Sequence, residues 1–472
     1  MIKRNTLAGD VLSDNDVKMI HQESLQLLEE TGVEIMHEEA LDIFEDNGAK
    51  VEGKRVYLSA ELVEDALDQA PTSFTLHARN SDNDVVIGGG NSVLAPGYGS
   101  PYVTSIDESR RDSTFEDYKN FTKLASVSEN IDVLGGVLVE PTDLDDKIRH
   151  VKMLYAAAKY SDKCLMGSAL GAKKARESFK MASILFGEDE IIDDRPITMS
   201  LINTMSPLQY DNRMADALIE HARYNQAAVI ASLIMAGSTG PMSIAGTLVL
   251  QNVEVLTGIV LAQMVNSGAP VVYGSASTIM DMKAASLAVG SPEYAKFIGA
   301  TSQLARYYGL PSRAGGSITD SIMVDTQAGY EAMMMFISSI NHGINFVLHS
   351  AGLLENYMTM SYEKFIIDDE ILSMVTNYQA GIEVNEDTVA TKVIDDVGPS
   401  GHYLQEPHTL QHMEDFREPE ISNRAGYTSD NDLIPTVERA NEKWKAILAD
   451  FESPYLDSVI EQKLTDYIEE LK

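Results

Sequence analysis

A short apolar run that fades into small or polar residues, followed by a helical stretch, recurs along the middle of this chain. The runs are "IDVLGGVLVEP", "KCLMGSAL", "ITMSLINTMSP", "AAVIASLIMAGSTGP", "APVVYGSAS", "PSRAGGS" and "INFVLHSAG", with "MSYEKFII" as a weaker eighth. Strand-then-helix repeated over roughly 240 residues implies parallel strands joined by helical crossovers, and predicts an α/β fold of the (β/α)8 TIM-barrel kind. A doubly wound open sheet is the alternative, but no G-x-G-x-x-G follows an early strand to support it.

The segments before and after the repeat read differently. Ser13 and Asp16 have capping-box spacing ahead of a helix with Val17, Ile20, Ser24, Leu27 and Leu28 on one face, stopped by Gly32. "EEALDIFEDNG" is a second helix, "AKVEGKRVYLS" a hairpin turning at Glu52 and Gly53, and Ser59 caps a third helix that ends before Pro71. "SFTLHAR" and "NDVVIGGG" read as two more strands. Residues 1–95 are therefore expected to form an α+β cap packed on a barrel of residues 96–394. Residues 395–472 form a loop-rich C-terminal extension that ends in two helices.

Charge and cysteine usage exclude several roles. The 72 acidic residues outnumber 36 basic ones, for a net charge of −36. Such a surface repels phosphate backbones and anionic lipid, which argues against nucleic-acid and membrane partners. Cys164 is the one cysteine, so intrachain disulfides and multi-cysteine metal centres are excluded. The first residues contain no apolar signal region, and "GTLVLQNVEVLTGIVLAQMV" is interrupted by Gln251, Asn252, Glu254 and Gln263, as in a core helix. A cytoplasmic location is the expectation.

In such a barrel the site lies at the C-terminal ends of the strands. That rule alone selects Glu140, Ser168, Asn203, Gln209, Ser238, Tyr273, Ser275, Arg313, Asp320, His349 and Glu355. The set is polar, yet no G-x-S-x-G elbow, H-E-x-x-H or P-loop accompanies it. "GSTGP" (Gly237 to Pro241) either cradles an anion at a helix N-terminus or only permits a tight turn. His408 and His412 are four apart with His402 nearby; no cysteine or suitably spaced glutamate accompanies them, so capping or surface roles are favoured over a metal. Met333 to Phe336 reads as the buried face of a helix. Tyr98 and Tyr102 precede the barrel and Tyr357 follows its last clear strand. Tyrosines there either pack the wall or form a cage for a quaternary ammonium ion, which has no N–H to donate.

The segments "GYGSP", "GGSITDSIMVDTQAGYEAM", "FVLHSAGLLENY" and "VGPSGHYLQEPHTLQH", in this order, resemble the trimethylamine methyltransferase superfamily over nearly the whole chain. The resemblance implies a TIM barrel and methyl transfer from a methylated amine to the cobalt of a corrinoid carried by a separate protein. No tightly held cofactor is implied for this chain. Founding members carry pyrrolysine at the barrel mouth; the matching loop around Ser321, Ile322 and Met323 holds only ordinary side chains. This places the chain with the branch that resembles enzymes of quaternary amines such as glycine betaine, proline betaine and carnitine. Tyr98, Tyr102 and Tyr357 are then the residues for the ammonium group. Arg313 and His349, with Asn203 and Gln209 behind them, are those for a substrate carboxylate. Asp320 and Glu355 balance the cation, and Glu331 opens the helix beside the loop. Association into a homo-oligomer would be ordinary. The alternatives are an acid–base lyase or hydrolase using Glu140, Asp320 or His349, and a non-catalytic betaine binder.

Overall fold

The computed structural model describes residues 2–3, 10–187, 195–424, 426–427 and 433–472. Its centre is a parallel barrel of eight strands: β1 (Asn91–Leu94), β2 (Val133–Gly135), β3 (Cys164–Met166), β4 (Thr198–Asn203), β5 (Ala227–Ser232), β6 (Val271–Ser275), β7 (Ser312–Arg313) and β8 (Phe346–Val347). Parallel pairing runs unbroken from β2 to β8 and then from β8 to β1. Between β1 and β2 the ring is joined by single contacts. The Asp132 amide donates to the Leu94 carbonyl, and the Leu94 amide donates to the Asp132 carboxylate, both at 2.9 Å.

Eight helices cover the barrel: α1 (Phe115–Val127), α2 (Arg149–Tyr160), α3 (Ala172–Phe186), α4 (Asn212–Arg223), α5 (Ile244–Val265), α6 (Pro292–Tyr307), α7 (Thr326–His342) and α8 (Tyr362–Gln379). The expected capping box forms at Ser13, and a second one forms at Thr114. Helix α5, the long apolar segment, is buried along most of its length. Alternation with a period of two points Met199 and Leu201 of β4, and Ala227, Val229 and Ala231 of β5, into one apolar cluster with Val93, Val133 and Phe346. That cluster fills the lumen. The antiparallel hairpin Ser73–Leu76 with Val85–Gly88 closes its lower end through Leu76 and Ile87. Cys164 lies there, its thiol donating to the Leu76 carbonyl and raised in pKa by burial.

The eighth strand is not where the sequence pattern placed it. It is β1, within the residues read as cap. In "MSYEKFII" only Met360 and Ser361 are extended, in a sheet over the barrel mouth formed with Leu353–Leu354, Tyr102–Ser105 and Glu108–Asp112. Ser361 then accepts from the Lys364 amide and caps α8.

Helix α8 carries a fully buried ion pair, Lys364 with Asp368 one turn on. Lys364 also donates to the Ser317 carbonyl (3.1 Å), and Asp368 accepts from the Gly352 amide (2.8 Å). Burial lowers the lysine pKa and raises that of the aspartate to about 6. The pair thus ties together the loops that follow β7 and β8. Removing one partner strands a buried charge, so Lys364→Met should lower the unfolding free energy by about 3–5 kcal/mol in urea titrations. Lys50→Met, which breaks the exposed pair with Glu52, should leave the midpoint unchanged; equal midpoints for the two variants would show that the buried pair is no clamp.

Candidate functional site

The site is built around Arg313. On β7 it lies opposite Gly274 of β6 and Phe346 of β8, whose ring belongs to the lumen cluster. The side chain is 1% exposed. Nη1 donates to the Ser275 carbonyl (2.7 Å), Nη2 donates to His349 Nδ1 (3.3 Å), and Nε has no partner. Its electrostatic neighbours are Tyr294, Tyr357 and Tyr98; no carboxylate is among them. Burial lowers its pKa, but a guanidinium keeps its proton in a protein. A full positive charge therefore lies inside the barrel with no acid among the described residues to balance it.

His349, two residues past the end of β8, lies in the left-handed region, φ 70°. Gly316 makes that conformation possible, because a Cβ there would lie 2.4 Å from the His349 carbonyl. The Ser317 amide donates to the same carbonyl at 2.9 Å. Burial, and then the Arg313 charge, hold the imidazole pKa well below its ordinary value. Since Arg313 has only donors, Nδ1 must accept and Nε2 carries the proton.

Three tyrosines complete the wall. The Tyr357 ring lies 4.7 Å from that of His349. The Tyr294 hydroxyl, from the first turn of α6, faces the Tyr357 hydroxyl and interacts with it. Burial raises the Tyr98 pKa to about 12; its ring packs on Gly136, where a Cβ would stand 2.7 Å from it. Unpaired buried polar atoms cost about 1–3 kcal/mol each. Two of them, Arg313 Nε and Ser317 Oγ, belong to this small region.

The other residues singled out in the sequence lie elsewhere or already have partners. Asn203 is exposed on the rim at the end of β4. Gln209 pairs with Glu34 in a side sheet of the N-terminal region. The Tyr102 face is covered by the Arg110 guanidinium, 3.5 Å from the ring centre. Glu355 accepts from Arg110 (2.8 Å) and from Thr359 (2.6 Å). Asp320 accepts from the Val289 amide (2.8 Å), and burial raises its pKa. Glu331 is buried and accepts from the Thr319 hydroxyl, the Asp320 amide and Gln327. These acids shape the loop after β7. Glu140 pairs with Arg149, and Tyr273 and Ser275 turn outward to Asn252 and Gln251. The N-terminus of α5 is capped by Ser243, two residues beyond "GSTGP". Tyr294 and Ser317 escaped the sequence reading; nothing in "SPEYAKF" distinguishes a wall tyrosine from a packing one.

Large apolar side chains crown the mouth. Ile322 is 74% and Met323 59% exposed, and Ile106, Met242, Met282 and Met358 are exposed on other strand-to-helix connections. Ile322 and Met323 border a groove of about 610 Å³ with Ile106, Arg110 and Glu355.

Comparison with known proteins agrees with this architecture. The family model for trimethylamine methyltransferase matches residues 1–472. A glycine betaine methyltransferase of Desulfitobacterium hafniense (strain Y51) is 51% identical over 461 residues, covering 97% of this chain and 96% of the relative. A proline betaine:corrinoid methyltransferase of Eubacterium limosum is 31% identical, covering 97% of each. The crystal structure of the Methanosarcina barkeri monomethylamine methyltransferase aligns with a TM-score of 0.54 at 11% identity, over 94% of this chain and 89% of that one, which speaks to the fold alone. The resemblance in the strand-end segments and the match over the full length agree: the chain is a member of the trimethylamine methyltransferase family.

Proposed function

We propose that the chain moves a methyl group from glycine betaine to the cobalt of a corrinoid protein. The observation that carries this reading is the buried guanidinium of Arg313 without a carboxylate. A betaine supplies that carboxylate, and a pair with two parallel N–H···O bonds would also use the orphan Nε. The ammonium end then lies against Tyr98 and Tyr357, whose ring faces attract a cation without needing a donor. The 51% identical relative is named for the same substrate.

The chemistry suits a site without an acid–base dyad. The corrinoid enters as a co-substrate whose cobalt(I) supplies the electron pair for the new cobalt–carbon bond. The C–N bond breaks, its electrons stay on nitrogen, and dimethylglycine leaves with a neutral tertiary amine. The leaving group needs no proton. What remains for the protein is to fix the substrate, exclude water and expose one methyl toward the mouth. The apolar rim, Ile322 and Met323 included, is the surface on which the corrinoid protein seats. An acid–base lyase or hydrolase fits less well, since His349 Nδ1 is engaged by Arg313 and Glu140 by Arg149.

Two measurements test this. Mixed with cob(I)alamin, the protein should form methylcobalamin from glycine betaine and none from trimethylamine; transfer from trimethylamine alone would overturn the reading. The pH dependence has a defined sign. The folded pKa of His349 is lowered, so the Arg313–His349 bond persists as pH falls through 6.5 and is lost only well below it. KM for glycine betaine should stay within ~2-fold between about pH 6 and 8, where an ordinary histidine titrates. A KM that rises steeply below pH 6.5 would show that His349 is not held neutral.

A further inference from the structure

We infer that Asp387, His408 and His412 bind a zinc ion that staples the segment between α8 and the helix Thr436–Ala449. A ring nitrogen of each histidine and a carboxylate oxygen of Asp387 all lie within 4.8 Å of one another. His412 Nε2 stands 3.4 Å from Asp387 Oδ2. Ligands about 2.0–2.1 Å from a tetrahedral zinc are separated by roughly that distance. Nε2 is shut off from solvent, and the Asp387 carboxylate is its near neighbour, so this ring nitrogen faces into the cluster.

The supports behind the ligands are those a metal site requires. His408 lies in the short helix Pro407–Gln411 and His412 is its C-cap, so their four-residue spacing brings the ring centres to 4.1 Å with the planes tilted by 38°. Asp387 comes from a different element, the helix Glu386–Val389. Asp415 engages the other ring nitrogen of His412, the carboxylate–imidazole arrangement that orients a metal-binding histidine. The His408 ring is pinned by the Asp387 carbonyl, 3.1 Å from Nε2. Two imidazoles and a carboxylate suit zinc, with water in the fourth position.

The segment has a physical need for such a staple. No residue from 381 to 420 is buried, and Ile382, Leu404 and Phe416 are 90%, 82% and 76% exposed. A unit without a core holds its shape only through a disulfide, a metal or a partner. The single cysteine, Cys164, is buried at the far end of the barrel and forms no disulfide. A metal crosslink between the two short helices would replace the missing core with bond energy.

The test uses the untagged full-length protein. Calorimetric titration with zinc chloride should give about one ion per chain, and zinc should protect residues 381–420 from limited proteolysis until EDTA is added. His408→Asn with His412→Asn should abolish both effects while the far-ultraviolet spectrum stays native. Asp415→Asn keeps every ligand and should weaken binding by about 10–100-fold. Zinc bound no better by the natural protein than by the double variant would reduce the cluster to a surface ion pair and overturn the site. Stoichiometric zinc without any change in proteolysis would overturn the staple.

Discussion

A guanidinium buried in the middle of a barrel must be compensated, and the surroundings of Arg313 are organised around that requirement. Stranding a charge in a protein interior costs several kcal/mol. Within the chain the offsets are one carbonyl dipole from Ser275 and one imidazole lone pair from His349. A second buried cation stands nearby, Lys364, and it has its acid in Asp368. The contrast is informative. Where the fold needs a cation it supplies the counter-charge one helical turn away; at Arg313 no acid among the described residues does so, and on the proposed reading the substrate carboxylate takes that place. The Lys364–Asp368 pair also holds the loops that carry Ser317 and Gly352, so the neutral and the charged parts of the site rest on one support.

This arrangement accounts for the poverty of catalytic side chains. A quaternary ammonium arrives with its leaving group activated, and the nucleophile is brought by another protein. The acids near the mouth are accordingly spent on structure: Glu331 and Asp320 hold backbone amides, and Glu355 holds Arg110. The loop they shape presents Ile322 and Met323 to the outside. Those two apolar residues make sense as part of a docking lip, and little sense as part of a catalytic group.

The barrel was legible because a parallel strand buried on both faces reads as a continuous apolar run. Strands β2 to β6 and β8 have that signature, whereas β7, only Ser312 and Arg313, was read from its place in the repeat. Strand β1 escaped because it follows three glycines, which end the preceding hairpin and make it look like part of the cap. "MSYEKFII" misled for the opposite reason: its two extended residues precede a helix with buried Tyr362, Phe365 and Ile366 at three- and four-residue spacing. Arg313 and His349 could be found from their places at strand ends. Tyr294 could not, since it enters from the start of α6. Neither could the fate of Tyr102 and Glu355, which depends on Arg110 in a hairpin folding back over them.

The measurement that bears most directly on this account is calorimetric binding of glycine betaine, with choline as the analogue that lacks a carboxylate, to the natural protein and to Arg313→Gln. Loss of a buried, charge-assisted pair should weaken glycine betaine by at least ~30-fold, while choline, which never used the arginine, binds both proteins equally. Undiminished affinity of Arg313→Gln for glycine betaine would contradict the assignment of this guanidinium to the substrate and, with it, the account of the site.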